Sequence, residues 1–172
     1  TNEIQAMAYR EKHGLQVTIP RLFNAVGPRQ GGNYGFVLPR FIEQALAGDA
    51  LTVFGDGTQT RSFCDVRDTV AAIDLLAGNT EAAGQPVNVG NERETRILDL
   101  ARLVIERAGS RSHVEFVPFD QAYGASFDQI TQRHPVEERL RQLTGFRPRW
   151  TLEQTIDDLI DRARGATKQR AA

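Results

Sequence analysis

The chain has 172 residues, with 21 lysines and arginines against 22 aspartates and glutamates, and a formal net charge of −1. Hydrophobic residues make up 40% and charged residues 25%, which excludes wholesale disorder, and the balanced charge indicates neither a nucleic-acid-binding nor a membrane surface. No apolar run approaches the roughly 20 residues of a membrane-spanning helix, no signal peptide is visible, and the single cysteine, Cys64, fits a reducing cytoplasm.

The first thirty-five residues predict a helix, a strand and a loop. A helix over 1–12 ends before Gly14, and a strand over 15–21 alternates apolar and polar residues. A helix followed at once by a strand is typical of half a βαβ unit in a parallel sheet. The glycine-rich stretch 27–35 then predicts a long loop, and loops of this kind commonly bind a ligand.

The middle of the chain predicts further alternation of helices and strands. A helix over 36–47 ends at Gly48, and the segments 51–54 and 60–66 predict either a β-hairpin or a tight strand-loop-strand around the turn 55–57. Asp68 is expected to cap a helix that runs towards Gly78. A buried strand is expected over 86–89.

The second half begins with the clearest helical pattern, over 95–108, which ends at Gly109. A strand over 114–117, an irregular stretch over 118–135 and a short helix over 136–144 follow. Thr151 and Gln154 form a capping box that opens the last helix, and the basic tail over 162–172 is expected to fray.

Several catalytic motifs are absent from the sequence. The only lysines are Lys12 and Lys168, and neither lies four residues after a tyrosine. No glycine-rich dinucleotide turn, no nucleophile elbow and no histidines at zinc-ligand spacing occur. The residues alone therefore predict no complete catalytic constellation and no metal site.

A set of motifs in order connects the chain to a known family. These motifs are PRLFNAVGPRQ at 20–30, LTVFGDGTQTRSF at 51–63, VRD at 66–68, VNVG at 87–90 and GFRP at 145–148. In these segments the chain resembles the NAD-dependent epimerase/dehydratase family, the extended short-chain dehydrogenases that act on nucleotide sugars, as UDP-glucose 4-epimerase does. The resemblance spans essentially the whole chain.

The resemblance implies an α/β fold that combines the C-terminal elements of a Rossmann-type parallel sheet with a small α+β substrate-binding domain. Residues 1–28 would be the last helix and strand elements of the NAD-binding domain, and 29–172 the substrate-binding region, with 66–90 returning to the Rossmann sheet. Residues 1–3 resemble those that follow the family's catalytic lysine. The chain is thus expected to match the C-terminal part of such an enzyme.

The resemblance also implies residues that hold a diphosphate. Arg61 matches the family's arginine after the glycine-aspartate-glycine turn, and a guanidinium group can bind phosphate oxygens in pairs. Arg133 is the second candidate, although Val136 stands where the family usually has an aspartate that contacts the nucleotide. The alternatives are a surface salt bridge for Arg61 and a structural role for Arg133.

Three further residues match positions near the nucleotide and the cofactor. Phe54 matches the residue beside the base, and Asn24 matches an asparagine that contacts the diphosphate-sugar. Leu22 matches a position whose backbone lies near the nicotinamide. The alternatives are a core position for Phe54 and a turn-forming role for Asn24. Cys64 departs from the family pattern and is expected to be a small buried hydrophobe.

In the intact enzyme, the resemblance implies, NAD oxidises the sugar at C4 and the ketone is epimerised, dehydrated or decarboxylated. This chain is expected to bind a nucleotide sugar, a UDP-sugar first, and to be inactive alone. The alternatives are a non-catalytic module that binds nucleotide sugars and a dimerisation module. A homodimer is expected through the first helix, which carries Ile4, Met7 and Ala8 on one face.

Overall fold

The computed structural model describes residues 2–30, 36–123 and 132–170, in which helices and strands alternate. The helices are α1 (Asn2–His13), α2 (Val37–Ala47), α3 (Val66–Ala77), α4 (Ile97–Ala108), α5 (Phe119–Tyr123), α6 (Glu138–Thr144) and α7 (Leu152–Arg170). The strands are β1 (Ile19–Leu22), β2 (Ala25–Val26), β3 (Leu51–Phe54), β4 (Thr60–Ser62), β5 (Cys64–Asp65), β6 (Pro86–Val89), β7 (Glu94–Arg96), β8 (Val114–Val117) and β9 (Gln132–Arg133).

Most strand pairs are parallel and link distant parts of the chain. Strand β1 pairs with β6, β2 with β5, and β3 with β8, each in parallel. Strand β4 lies between β7, to which it is antiparallel, and β9, to which it is parallel. Because parallel strands need long crossovers, helices separate them along the chain. The expected α/β class with parallel sheet pieces is confirmed.

Two clusters of buried apolar side chains hold these elements together. The larger one joins α2, β3, α4 and α7 through side chains such as Phe41, Leu51, Leu100 and Ile156, each almost fully buried. The smaller one joins α3, β6 and α6 around Leu140. The helical spacing seen in the sequence of α4 is confirmed, since its apolar positions face the larger cluster.

The predicted pairing of 51–54 with 60–66 is wrong in its hairpin form. Strand β3 pairs with β8, while β4 pairs with β7 and β9, so the strand-loop-strand alternative holds. The backbone amide of Leu51 donates to the carbonyl of His113, and that of Gly55 to the carbonyl of Val117. The partner strands lie far away in the chain, so local turn chemistry could not identify them.

The N-cap of α3 is Asp65 and not Asp68. The Asp65 carboxylate accepts the backbone amide of Arg67 at 2.9 Å and holds the Arg67 guanidinium at 2.7 Å. Asp68 is buried inside the first turn and accepts the backbone amides of Arg149 and Trp150 at 3.0 and 2.9 Å. Asp68 was predicted to cap the helix locally, but its carboxylate instead makes a tertiary contact with the backbone at 149 and 150.

Several predicted boundaries also change. The strand predicted over 15–21 begins only at Ile19, and residues 94–96 form β7 because they pair with β4. The stretch expected to be irregular contains α5 and β9. The tail expected to fray continues as helix α7 to Arg170. Part of the predicted glycine-rich loop, 31–35, lies outside the described residues, whereas the capping box of Thr151 and Gln154 is confirmed at 3.0 and 3.2 Å.

Within the described ranges, no helix combines the length and the apolar character needed to cross a membrane. The same ranges contain no group of three or more histidine, cysteine, aspartate or glutamate side chains placed to hold a metal ion.

Candidate functional site

A cavity of about 440 Å³ opens where the carboxyl ends of β1 and β3 meet the start of α2 and strand β4. Its size falls in the range of small-molecule sites in proteins. The residues singled out from the sequence all line it, namely Leu22, Asn24, Phe54, Arg61 and Arg133. Residues from separate parts of the chain are thus brought together in one cavity.

Arg61 and Arg133 lie next to each other on paired strands. Strands β4 and β9 run parallel, with Arg61 directly opposite Arg133 in the register. The half-buried Arg61 side chain donates from Nη1 to the carbonyl of Thr60 at 2.7 Å. The Arg133 guanidinium is exposed, and its Cζ lies 6.0 Å from the centre of the Phe23 ring. This pairing puts two positive groups on one wall of the cavity.

A third arginine, Arg40 on α2, lines the same cavity and was missed in the sequence. Its Cζ lies 4.3 Å from the centre of the Phe54 ring, and its Nη2 donates to the carbonyl of Thr52 at 3.0 Å. Among the described lining residues there is no aspartate or glutamate. Three guanidinium groups in a lining that has no described acidic residue make a cavity suited to an anionic ligand.

Phe54 ends strand β3 and is half-buried. The Arg40 guanidinium covers part of its ring, a cation–π contact that fixes the ring orientation. Phe54 also lines the cavity. It is therefore both packed against Arg40 and part of the cavity lining, while its contact with a base stays a prediction.

Asn24 has a structural role in the loop between β1 and β2. Its φ of 38° is in the left-handed region, which asparagine tolerates better than most residues. Its Nδ2 donates to the carbonyl of Ser62 at 2.8 Å, and its own carbonyl accepts the backbone amide of Cys64 at 3.2 Å. The turn-forming interpretation of Asn24 therefore holds, at a position that also lines the cavity.

Two glutamines in the cavity wall were also missed. Gln59 is only 8% exposed, and its Nε2 donates to the carbonyl of Phe54 at 2.9 Å. Gln30 donates from Nε2 to the carbonyl of Ala25 at 3.2 Å. Both Oε1 atoms are buried and have no hydrogen-bond partner in the part of the chain that the structure describes. Gln30 and Gln59 both lie inside the quoted motifs, at 20–30 and 51–63, and this membership is the sequence signal that could have identified them.

Leu22 stands at the carboxyl end of β1, where open parallel sheets bind their ligands. Its side chain is 47% exposed although it is apolar. The expected position of the Leu22 backbone near a nicotinamide ring stays a prediction. The motif that binds a dinucleotide diphosphate is missing from the sequence, so these residues fit only one wall of an NAD site.

Cys64 and Asp65 form the buried strand β5 and are not among the residues that line the cavity. Burial raises the pKa of the Cys64 thiol to about 11, so the thiol stays protonated and behaves as the small buried hydrophobe that was expected. Burial alone would raise the pKa of Asp65, but hydrogen bonds from Arg67 and Thr155 lower it overall. Asp65 thus remains charged and links α3 to α7.

Glu137 is a buried carboxylic acid next to Gly90. It is 3% exposed, and its Oε1 accepts the backbone amide of Gly90 at 3.1 Å. Burial raises its pKa to about 7, and the nearby carboxylate of Glu92 adds to the increase. This group is outside the cavity and has no direct contact with its lining arginines in the described hydrogen bonds and ion pairs.

Comparison with known proteins gives consistent results. The model of the family described as "NAD dependent epimerase/dehydratase family" matches residues 1–90. A UDP-N-acetyl-alpha-D-glucosaminuronate decarboxylase of Bacillus cytotoxicus is 40% identical over 148 residues, which cover 86% of this chain and 46% of that protein. UDP-glucuronic acid decarboxylase 1 of Danio rerio is 38% identical over 159 residues, 92% of this chain and 36% of the relative.

Solved structures show the same fold. The UDP-glucose 4-epimerase of Thermotoga maritima with UDP-glucose superposes with a TM-score of 0.85 at 25% identity, covering 96% of this chain and 51% of that one. The UDP-glucuronic acid 4-epimerase of Bacillus cereus in complex with UDP-glucuronic acid and NAD gives a TM-score of 0.80 at 24% identity, with 94% and 50% covered. The chain therefore spans about half the length of these proteins, or less. With its ordered motifs, its parallel strand pairs and a family match over residues 1–90, the chain belongs to the NAD-dependent epimerase/dehydratase family.

Proposed function

We propose that this chain is the nucleotide-sugar-binding portion of an NAD-dependent enzyme that acts on a UDP-sugar. The observation that carries the proposal is the cavity with Arg40, Arg61 and Arg133 and no described acidic lining residue. A nucleoside diphosphate brings two phosphate charges and a flat base, and the arginines and Phe54 match both. The bound ligands named for the superposed Thermotoga maritima and Bacillus cereus enzymes, UDP-glucose and UDP-glucuronic acid, support this ligand class.

Each cavity residue has a proposed task. Arg61 and Arg133, opposite each other on β4 and β9, hold the diphosphate, and Phe54 contacts the base. Asn24 shapes the loop at the sheet edge. Its Nδ2 donates one N–H to the carbonyl of Ser62, and its other N–H donates to the sugar diphosphate. Leu22 contacts the nicotinamide ring. Together these residues bind the nucleotide and orient the sugar.

Within this class, we propose decarboxylation of a UDP-linked uronic acid. The two curated relatives described above are decarboxylases of UDP-uronates, at 40% and 38% identity. When bound, NAD supplies reversible hydride transfer at the sugar C4, which makes the carboxylate a β-keto acid that can lose carbon dioxide. The residues of this chain contribute binding and orientation. Because the sequence has neither a Tyr-x-x-x-Lys pair nor a dinucleotide turn, these 172 residues alone are proposed to give no turnover.

Calorimetric titration of the full chain tests the binding proposal. UDP-glucuronic acid is expected to bind, and Arg61→Gln is expected to weaken its affinity about 10- to 100-fold, because a hydrogen bond to a charged group contributes about 1.5–3 kcal/mol. Arg102→Gln is the matched control, since the exposed Arg102 guanidinium on α4 lies 3.8 Å from the Asp99 carboxylate and outside the cavity. Equal affinity in the two variants, or no binding to the wild-type chain, would contradict the proposal.

A separate assay tests the proposed lack of turnover. The wild-type chain is incubated with NAD and UDP-glucuronic acid, and the absorbance of NADH and the release of carbon dioxide are followed. We expect neither signal above the blank. Carbon dioxide release by the chain alone would overturn this part of the proposal. Binding without turnover is also the behaviour of a module that only binds nucleotide sugars.

A second candidate role is association through α1, on which no residue is buried. Ile4 is 75% exposed and Tyr9 is 58% exposed, an arrangement that favours contact with a second copy of the chain. Light scattering is expected to show a dimer that Ile4→Glu converts to a monomer. Gln5→Glu adds the same charge at a neighbouring exposed position and should leave the mass unchanged. A wild-type monomer at high concentration would refute this role.

A further inference from the structure

Gln59 lines the cavity, and contacts on both sides set the orientation of its side chain. Its Nε2 donates to the carbonyl of Phe54 at 2.9 Å, and its backbone carbonyl accepts the amide of Ile97 at 3.0 Å. A carbonyl oxygen only accepts hydrogen bonds, so the amide nitrogen must face Phe54 and Oε1 must face away from it.

The Oε1 of Gln59 has no donor among the residues that the structure describes. The side chain is 8% exposed, and this oxygen is buried with no hydrogen-bond partner in the described residues. An unsatisfied buried acceptor costs about 1–3 kcal/mol, so native structures keep few of them without a reason. Because Gln59 lines the same cavity as Phe54 and Arg61, a ligand in that cavity is the natural source of the missing donor.

The neighbours of Gln59 indicate which part of the ligand supplies the donor. The amide is tied to the backbone of Phe54, the residue proposed to contact the base, whereas Arg61 is proposed to contact the diphosphate. A base that contacts Phe54 would therefore lie beside the residue to which the glutamine amide is bound. Uracil carries a ring N–H donor at N3, while cytosine carries a lone pair at that position.

Building on the proposed function, we propose that Gln59 Oε1 accepts a hydrogen bond from the N3–H of a uracil base and so selects uridine over cytidine nucleotides. Cytosine would place its N3 acceptor opposite the Gln59 acceptor, which leaves both atoms unsatisfied. A site built to bond one polar group rejects ligands that lack it more strongly than an apolar pocket does. The selection acts on the base and is independent of the sugar.

Ligand analogues test this assignment on the unmodified chain. Calorimetry compares UDP with CDP, with N3-methyl-UDP and with 2′-deoxy-UDP. We expect CDP and N3-methyl-UDP to bind about tenfold or more weakly than UDP, and 2′-deoxy-UDP to bind like UDP. If only 2′-deoxy-UDP loses affinity, the donor is a ribose hydroxyl, and the assignment to the base is wrong.

The variant Gln59→Leu adds a second test. It is expected to bind UDP about tenfold more weakly and to bind UDP and N3-methyl-UDP equally, because a double-mutant cycle through one hydrogen bond is not additive. Gln85→Leu is the matched control, since Gln85 also ties its Nε2 to a backbone carbonyl, that of Glu81 at 3.0 Å, but lies outside the cavity. Thermal unfolding confirms that both variants fold.

The outcomes separate this inference from the function on which it rests. If the wild-type chain binds UDP and Arg61→Gln weakens binding, while CDP and N3-methyl-UDP bind as well as UDP, the role of Gln59 is refuted and the proposed function stands. If the wild-type chain binds no uridine nucleotide, both fail. Even if Gln59→Leu does not fold, the analogue titrations on the wild-type chain still decide whether Gln59 bonds to the base.

Discussion

Glu137 shows how burial changes the chemistry of a single residue. Its pKa rises from 4.5 to about 7 because the side chain is buried and faces the carboxylates of Glu92 and Asp68, an effect that the Arg141 guanidinium reduces only in part. In the unfolded chain the carboxyl would titrate near 4.5. The folded state therefore holds a proton between these values that the unfolded state has lost.

We predict that this residue lowers the free energy of unfolding as the pH rises from about 4.5 to about 7. The contribution of the protonated Glu137 carboxyl to the free energy of unfolding is complete below pH 4.5, and it is lost above the folded pKa of about 7. Glu137→Gln keeps an acceptor for the Gly90 amide but carries no charge, so it should raise the free energy of unfolding at pH 8 by about 2 kcal/mol and leave it nearly unchanged at pH 4. Urea unfolding at several pH values measures this.

Glu138→Gln is the control for that experiment. Glu138 is the next residue in the chain, and its exposed carboxylate accepts a hydrogen bond from the Gln142 side chain at 3.0 Å. It should leave the pH dependence of the unfolding free energy as in the wild-type chain. If Glu137→Gln shows the wild-type slope between pH 5 and 7, the buried carboxyl is not the titrating group.

The candidate site was predictable residue by residue only where a motif carried the information. Arg61 follows the turn 55–57 within the motif at 51–63, and the structure places it in the cavity with Phe54. Arg40 belongs to no such pattern, because an arginine on a helix is common, whereas Gln59 lies within the motif at 51–63 but was not singled out there. Their position in the cavity follows from how α2 and the turn before β4 pack, and no local pattern encodes that packing.

At the scale of elements, Asp68 connects helix α3 to the segment that leads into α7. Both backbone amides at 149 and 150 donate to its carboxylate, at 3.0 and 2.9 Å. We predict that Asp68→Ala lowers the free energy of unfolding by about 2–4 kcal/mol, because it leaves two donors without an acceptor. Chemical denaturation followed by circular dichroism measures the change.

Asp74→Ala on the same helix is the matched control, since the Asp74 side chain is exposed. Its effect should stay within about 0.5 kcal/mol. A loss for Asp68→Ala as small as that of the control would mean that the contact between α3 and the segment before α7 adds little to stability.

The elements differ in how well the sequence predicts them. The helical spacing of α4 and the capping box of α7 are local patterns, and both are found in the structure. The pairing of β3 with β8 joins residues some sixty positions apart, as Leu51 with Val114, and nothing near either strand specifies it. The hairpin prediction was wrong for this reason.

At the scale of the whole molecule, ligand binding and folding are linked. A nucleotide that binds only the folded chain stabilises it by about 2.7 kcal/mol when its concentration is 100 times its dissociation constant. For a chain of this size we predict that UDP at that concentration raises the melting temperature by about 5–10 °C. Differential scanning calorimetry with and without UDP measures the shift.

Arg61→Gln should show a smaller shift at the same UDP concentration, because its weaker affinity reduces the linkage. Arg102→Gln should reproduce the wild-type shift. A melting temperature that does not respond to UDP in the wild-type chain would contradict the prediction. An equal shift in Arg61→Gln would place the binding site elsewhere in the molecule.

The sequence by itself determined the fold class, the family and the helices other than α5, because helical spacing, caps and ordered motifs are encoded over short stretches of chain. It also determined which charged and aromatic residues belong to the family's motifs, including Arg61 and Phe54. Only the tertiary structure decided which strands pair, that Asp65 caps α3, and that Arg40 and Gln59 join the cavity. These features depend on contacts between residues far apart in the chain, where packing and burial outweigh local preference.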